Sequence, residues 1–268
     1  STVRWIEKLA PAEQLPVELA IGGRRRASFD AAAKRLGAKG VDDIKFVQLD
    51  LDDAASLERA VAGRSLVVHT AGPFQQRTDP TLLKACIDAG VPYCDVCDEL
   101  ELSRAAKKLT SDVPAVISCG IWPGASALLA ARAAERLGKP LDDLEFSFFT
   151  SGTGGAGPTI VSATFLLLCT PAAVYADGEL VMKEPWTEKR TAAFGPGVGA
   201  RDVYLLDNPD VPTCAEALGA RSASSSKPSR TCSPQHQKRA ARLLWCGRQG
   251  TTRRPTWAED FAFTITVS

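Results

Sequence analysis

The sequence predicts an α/β fold: a doubly wound parallel sheet that lacks its first strand, followed by part of an α+β domain. Three observations predict it. Short apolar runs alternate with amphipathic stretches through the first two thirds of the chain. The runs are apolar throughout, as strands covered on both faces require. The connections are short, which suits βαβ units with right-handed crossovers.

The elements follow in order. Thr2 to Leu9 has a helical pattern. Val17 to Ile21 reads as a strand ended by Gly22-Gly23, and Ser28 as the cap of a helix reaching Gly37. Lys45 to Leu49 is the next strand, and Ala55 to Val61 a short helix. Ser65 to His69 is a third strand. Asp79-Pro80 supplies a cap and an N1 proline for a helix that Gly90 stops. Val91 to Val96 and Pro114 to Ser118 are strands around a helix over Leu100 to Leu109. Pro123-Gly124 opens a long helix through Leu137, closed by Gly138 and Pro140. Leu144 to Phe149 is again a strand, a glycine-rich loop spans Ser151 to Thr159, and Ile160 to Leu168 is apolar and reads as buried. An opening strand and glycine-rich turn would normally precede the first helix of such a sheet, so the expectation is a chain that starts after them.

Composition bounds the function. The 268 residues carry a formal net charge of +1, so no global attraction to nucleic acid or membrane is expected. The longest apolar stretch is too short to cross a bilayer, and no signal-peptide pattern opens the chain. Eight cysteines in this length do not make a disulfide framework; Cys86, Cys119 and Cys169 read as small buried hydrophobes, and an intracellular setting, cytoplasm or plastid, is expected. From Ala217 to Ala258 there is no acidic residue while Arg and Lys recur, and Ser222 to Ser226 is a serine-rich run. Residues 213–268 are therefore expected to form a basic, disordered tail.

Strand ends carry the candidate site. After the strand at Ile21 comes Gly22-Gly23-Arg24-Arg25-Arg26. An Asp or Glu there would bind the ribose 2′-hydroxyl of NAD; an arginine cluster suits the 2′-phosphate of NADP. The alternative is a solvated basic turn. Asp50 closes the next strand, where a carboxylate can face adenine. Thr70, Ala71, Gly72 and Pro73 follow the third, where small residues let a nicotinamide ribose approach, although Pro and Gly also make turns. Cys94-Asp95-Val96-Cys97 lacks the second pair a zinc site needs, so no metal is expected. Gly152 to Gly157 is formally a G-x-G-x-x-G, but no doubly wound array follows it. Tyr93, Asp95 and Asp98 stand at the right sheet edge for a proton relay, yet each also fits turn chemistry, so the catalytic residues stay unassigned.

Several motifs occur in order: Gly23-Arg24, His69 to Gln75, Tyr93 to Asp98, Gly120-Ile121-Trp122-Pro123-Gly124, Gly152 to Pro158, and Gly197 to Tyr204. Taken together they resemble the saccharopine dehydrogenase-like NADP-binding family, in particular its plant and cyanobacterial-type members, over about Thr2 to Pro212. The resemblance implies a Rossmann-type dinucleotide domain over residues 1–142, incomplete at its N-terminus. It implies part of an α+β substrate or dimerisation domain over residues 143–212, which takes Gly152 to Gly157 away from phosphate binding. It also implies an NADP-dependent oxidoreductase, with Gly23, Arg24, Arg25, Asp50, Thr70, Ala71, Gly72 and Pro73 at the cofactor. Saccharopine reductases carry an acid where Trp122 stands, so the small-molecule substrate is unknown. A nucleotide-binding module without catalysis is the alternative, nucleic acid is not an expected partner, and a homodimer stays open.

Overall fold

The computed structural model describes residue 6 and residues 18–37, 44–72, 74, 77–138, 140–151, 166–228 and 260–267. The helix expected over Thr2 to Leu9 lies outside the described residues apart from Ile6. So do Pro73, Gly152 to Gly157 and residues 229–259. The elements are β1 (Ala20–Gly23), α1 (Arg26–Gly37), β2 (Lys45–Gln48), α2 (Ala54–Val61), β3 (Val67–His69), α3 (Thr81–Asp88), β4 (Tyr93–Asp95), α4 (Leu100–Lys107), β5 (Ala115–Val116) and α5 (Ala125–Leu137). Then come β6 (Asp143–Ser151), β7 (Ala172–Ala176), β8 (Glu179–Lys183), β9 (Arg190–Ala193), β10 (Ala200–Leu205), α6 (Asp210–Leu218), β11 (Ser222–Pro228) and β12 (Asp260–Val267). The chain is mixed α/β, with the parallel strand pairing of a Rossmann-type fold.

Chain contacts divide the protein into two compact units: Ser1–Val67 with Pro80–Tyr93 and Ser111–Ala115, and Val68–Asp79 with Cys94–Thr110 and Val116–Ser268. In the first, β1 and β2 pair in parallel, Ala20 opposite Lys45 through Gly23 opposite Gln48. The strand thus runs through the two glycines that were expected to end it. At Gly22 a Cβ would lie 3.3 Å from Leu49 Cδ1, so the Leu49 side chain would have to shift to admit one. Helix α1 begins two residues before Ser28. The amides of Ser28 and Phe29 both reach Arg25 O, so Ser28 sits in the first turn rather than at the cap. Asp53 does cap α2, accepting the Ser56 amide at 3.3 Å. Helix α2 buries Leu57, Ala60 and Val61, and α3 buries Leu82, Leu83 and Cys86, the i, i+3, i+4 stripe of a helix facing a core. Pro80, not Asp79, occupies the cap position of α3.

Strands β3, β4 and β5 form a three-stranded sheet in that order. Val67 N donates to Pro92 O and Val96 N to His69 O, so β3 and β4 advance together and run parallel; Tyr93 N to Pro114 O and Cys119 N to Asp95 O show the same for β4 and β5.

The second unit holds a seven-stranded mixed sheet of order β12-β6-β11-β10-β9, with β7 pairing both β11 and β8. Strand β11 runs parallel to β6, and β12 antiparallel to it. One face of β6 presents Leu144, Phe146 and Phe148, all buried, to Ala130 on α5 and to Val211, Cys214 and Ala215 on α6. The other face carries Glu145 and Ser147. Arg190 reaches them across the sheet, donating to Ser147 Oγ at 2.9 Å and Ser226 Oγ at 2.8 Å and pairing with Glu145 at 3.1 Å. The β7–β8 hairpin turns at Asp177-Gly178, both at positive φ (51° and 86°), the conformation a two-residue hairpin turn requires.

The disordered tail expected over residues 213–268 is corrected for residues 213–228 and 260–267, while 229–259 lie outside the described residues. Ser222 to Pro228 is an internal strand, flanked by β6 on one side and by β10 and β7 on the other, and residues 260–267 add the strand beyond β6. Ala223, Ser225 and Ser226 are buried, and small side chains let the strand lie flat between helices and neighbouring strands. A serine run looks like linker composition when read without its partners. Two cysteines are likewise corrected: Cys86 is buried, but Cys119 and Cys169 are exposed.

Candidate cofactor-binding site

Apart from Pro73, which lies outside the described residues, the predicted residues fall at or just past the C-terminal ends of their strands, where ligands of open parallel sheets sit. Gly23 ends β1, and among the described residues other than its chain neighbours no heavy atom lies within 4 Å of where its Cβ would be, so a ligand can approach the backbone there. Arg24 and Arg25 form the turn into α1. Gln48 Nε2, at the end of β2, donates to Arg24 O at 3.0 Å and pins that turn to the neighbouring strand. Sequence reasoning passed over Gln48; its place at a strand end beside a glycine turn is the signal that would have found it.

The three arginines are not equivalent. Arg26 pairs with Asp30 at 2.9 Å, and its guanidinium lies 5.2 Å and 5.5 Å from the ring centroids of Phe29 and Phe46. Arg24 and Arg25 are exposed and have no ion pair among the described residues. Their guanidinium groups are the ones open to a phosphate.

Asp50 is already engaged. Its carboxylate accepts the Asp52 amide at 3.2 Å, and its own amide donates to Ser56 Oγ at 3.0 Å. That is turn chemistry linking β2 to the cap of α2, and it leaves the second carboxylate oxygen for other partners.

In the second unit, Thr70, Ala71 and Gly72 follow β3, with Gly72 N donating to Thr70 O at 3.2 Å. Phe74, Cys97 and Leu102 form a buried apolar cluster, with the His69 ring edge-on to Phe74 at 4.9 Å. Burial pushes the His69 imidazole below its ordinary pKa, while the Asp95 charge pulls it back up. Asp95 is buried, and its Oδ1 accepts the amides of Cys97 at 3.0 Å and Ser118 at 2.7 Å. Tyr93 is buried too. Of the three edge residues, two are therefore structural in their surroundings, and Asp95 holds the ends of β4 and β5 together.

The Gly120–Gly124 loop, with a cis peptide at Trp122-Pro123, leads into α5. Gly124, at φ 128°, has no room for a side chain, because a Cβ would stand 2.4 Å from Gly120 O. Trp122 packs on Phe148 at 5.0 Å. Behind the loop is a polar knot that no local pattern announces: Ser126 donates to the fully buried Asp210, 84 residues away, and Asn208 Nδ2 approaches the same oxygen at 3.4 Å. Asp210 Oδ1 has no hydrogen-bond partner among the described residues. Burial pushes the Asp210 carboxyl above its ordinary pKa.

Comparison with known proteins matches residues 4–118 to the saccharopine dehydrogenase NADP binding domain. Among solved structures, the chain is similar to apo saccharopine dehydrogenase (L-Glu forming) from Saccharomyces cerevisiae, with 17% identity and a TM-score of 0.61 over 88% of this chain and 54% of that one. A further similar structure is GenD2 from gentamicin A biosynthesis in complex with NAD, with 16% identity and a TM-score of 0.38 over 95% of this chain and 63% of that one. A probable dehydrogenase from Thermotoga maritima shows 12% identity and a TM-score of 0.38 over 85% of this chain and 66% of that one. The chain spans about half the length of the yeast protein. No curated protein matches it in sequence.

Proposed function

We propose, from the premise that residues 4–118 belong to the saccharopine dehydrogenase NADP-binding family, that this protein is an oxidoreductase that selects NADP over NAD through Arg24 and Arg25. When bound, the nicotinamide ring supplies the hydride chemistry. The chain's own part is to hold the dinucleotide and orient it. Arg24 and Arg25 would make charge-assisted bonds to the 2′-phosphate, Gly23 gives the backbone a close approach, and Thr70, Ala71 and Gly72 leave room for the nicotinamide ribose. Residues 1–142 would form the dinucleotide domain and 143–212 would belong to the substrate or dimerisation domain. The substrate is a small molecule of unassigned structure. The observation that carries the reading is the pair of arginines without ion-pair partners among the described residues at the end of β1, where the sequence Gly22-Gly23-Arg24-Arg25-Arg26 has no carboxylate to favour an unphosphorylated ribose.

A second reading has its own support. Tyr93 and Asp95, two of the sheet-edge proton donors, are buried, and Asp95 accepts backbone amides. A nucleotide-binding module without turnover fits that arrangement. Titration calorimetry with NADPH and NADH tests the cofactor assignment. Arg24→Ala with Arg25→Ala should erase most of the preference for the phosphorylated cofactor, because each charge-assisted bond contributes about 1.5–3 kcal/mol. An unchanged affinity ratio in the double variant would refute it. NADPH binding without oxidation in the presence of candidate carbonyl or imine substrates would favour the second reading.

A further inference from the structure

Among the described residues, strand β8 pairs with β7 and with no other strand, so its outer edge is open. Such an edge is normally blunted by proline, a bulge or inward-pointing charge, because its bare amides and carbonyls template further pairing. Strand β8 reads Glu179-Leu180-Val181-Met182-Lys183 and contains no proline. It pairs residue for residue with β7, from Ala176 opposite Glu179 to Ala172 opposite Lys183, so it carries no bulge. A two-residue hairpin turn closes on a hydrogen-bonded pair, here Ala176 with Glu179. Alternation along an antiparallel ladder then turns the N–H and C=O of Val181 and Lys183 inward to β7, and those of Leu180 and Met182 outward. Neither outward amide donates to another element among the described residues. The middle of the edge is apolar and exposed, Val181 by 39% and Met182 by 55%.

We propose that β8 is the interface with a second copy of this chain: the two edges pair antiparallel about a twofold axis at Val181 and join the two seven-stranded sheets. The order of charges along the strand is what selects this partner. With Val181 opposite Val181, Leu180 faces Met182 and Glu179 faces Lys183, each pair occurring twice by symmetry. Leu180 and Met182, whose bonding groups point outward, become the hydrogen-bonded pairs. Glu179 and Lys183 fall in the non-hydrogen-bonded pairs, where side chains approach more closely and opposite charges attract. A shift of two residues in either direction loses both charge pairs, and parallel pairing in register sets Glu179 on Glu179 and Lys183 on Lys183. Glu179 is exposed and has no ion pair among the described residues. Lys183 bonds Glu188 at 2.6 Å, and an ammonium has three donors, so it can serve Glu179 of the second copy as well. An edge of five residues is small for an interface, so the dimer is weak and depends on concentration. None of this rests on the cofactor reading, because β8 lies within the second compact unit and the pairing needs no nucleotide.

The test is sedimentation velocity on the full chain from low to high micromolar concentration, with dithiothreitol present to exclude intermolecular disulfides. A shift from monomer to dimer with concentration is expected. Glu179→Lys sets like charges in both facing pairs and should weaken the dimer about tenfold or more, as should Lys183→Glu. An equimolar mixture of the two variants restores both charge pairs between unlike chains and should dimerise again, and so should the double variant. A substitution that merely harmed the fold would not be rescued in this way. Amide hydrogen exchange on the wild-type chain gives a readout that needs no variant: protection at Leu180 and Met182 should rise with protein concentration. A monomer at every concentration, a mixture as monomeric as its two components, or a dimer that leaves the Leu180 and Met182 amides unprotected would each overturn the proposal. Should either charge variant fail to fold, the exchange pattern of the wild-type chain decides.

Discussion

At the scale of the residue, Asp210 should be felt in stability more than any exposed carboxylate. A free aspartate titrates near 3.8, and burial lifts Asp210 above that value while Ser126, Asn208 and the Gly124 amide pull it partly back. Between the two values the folded chain holds a proton that the unfolded chain has released. Stability therefore falls as pH rises through that interval, by at most about 1.4 kcal/mol per pH unit for one proton, and stays lowered above it. Asp207, also raised by burial, acts in the same direction. Urea midpoints measured between pH 3 and 8 should show a decline that is shallower in Asp210→Asn, with Asp207→Asn as the control for the other share. A variant profile as steep as that of the wild type would place the dependence elsewhere. Glycines offer a sharper contrast. Gly124→Ala must place a Cβ 2.4 Å from Gly120 O at φ 128°, and should cost about 3 kcal/mol or more. Gly63, at φ 67° with open space around it, should cost about 1 kcal/mol when changed to Ala. Thermal unfolding of the two variants should differ several-fold in the size of the shift; equal shifts would mean that the Gly120–Gly124 loop relaxes freely. Asp210 and Ser126 were illegible as a pair because they stand 84 residues apart, whereas Arg24 and Arg25 could be read from their place after a strand.

At the scale of the element, boundaries read from sequence held where a glycine takes the left-handed position after a helix and slipped at the starts of α1 and α3 and along β1. Gly90 and Gly138 follow their helices at φ 67° and 65°, as their positions in the sequence imply. Strand β1, by contrast, continues through Gly22 and Gly23, which pair with Val47 and Gln48 of β2. Strand β11 is the larger lesson. Its run of serines has no apolar period, and it becomes a strand because β6, β10 and β7 supply partners for both of its edges. Two predictions follow from that placement. Ser225→Pro should destabilise the second unit by about 3 kcal/mol or more, since proline cannot donate within a ladder and Ser225 is buried. A chain ending at Arg221 should lose cooperative unfolding and bind hydrophobic dye, whereas limited digestion with a protease of broad specificity should spare the 222–228 segment in the intact chain. A stable, dye-silent protein ending at Arg221 would show that β6 does not need β11.

At the scale of the whole molecule, the parallel α/β portion was legible because each βαβ unit is local: strand, helix and next strand lie within a few tens of residues and each carries its own pattern. The mixed sheet of the second unit was not, because its order is set by partners far apart in the chain. Strand β6 pairs in parallel with β11, and Ser147 and Ser226 on those strands are 79 residues apart. This register has a consequence for how the protein is made. During synthesis β6 leaves the ribosome long before the strands that flank it. Its buried Leu144, Phe146 and Phe148 must wait, with both edges unsatisfied, while some eighty residues are added. At about 5–20 residues per second that interval lasts several seconds, long compared with hydrophobic collapse. A nascent chain stalled shortly after β10 should therefore be held by chaperones and cut readily by protease. One released beyond β12 should resist both.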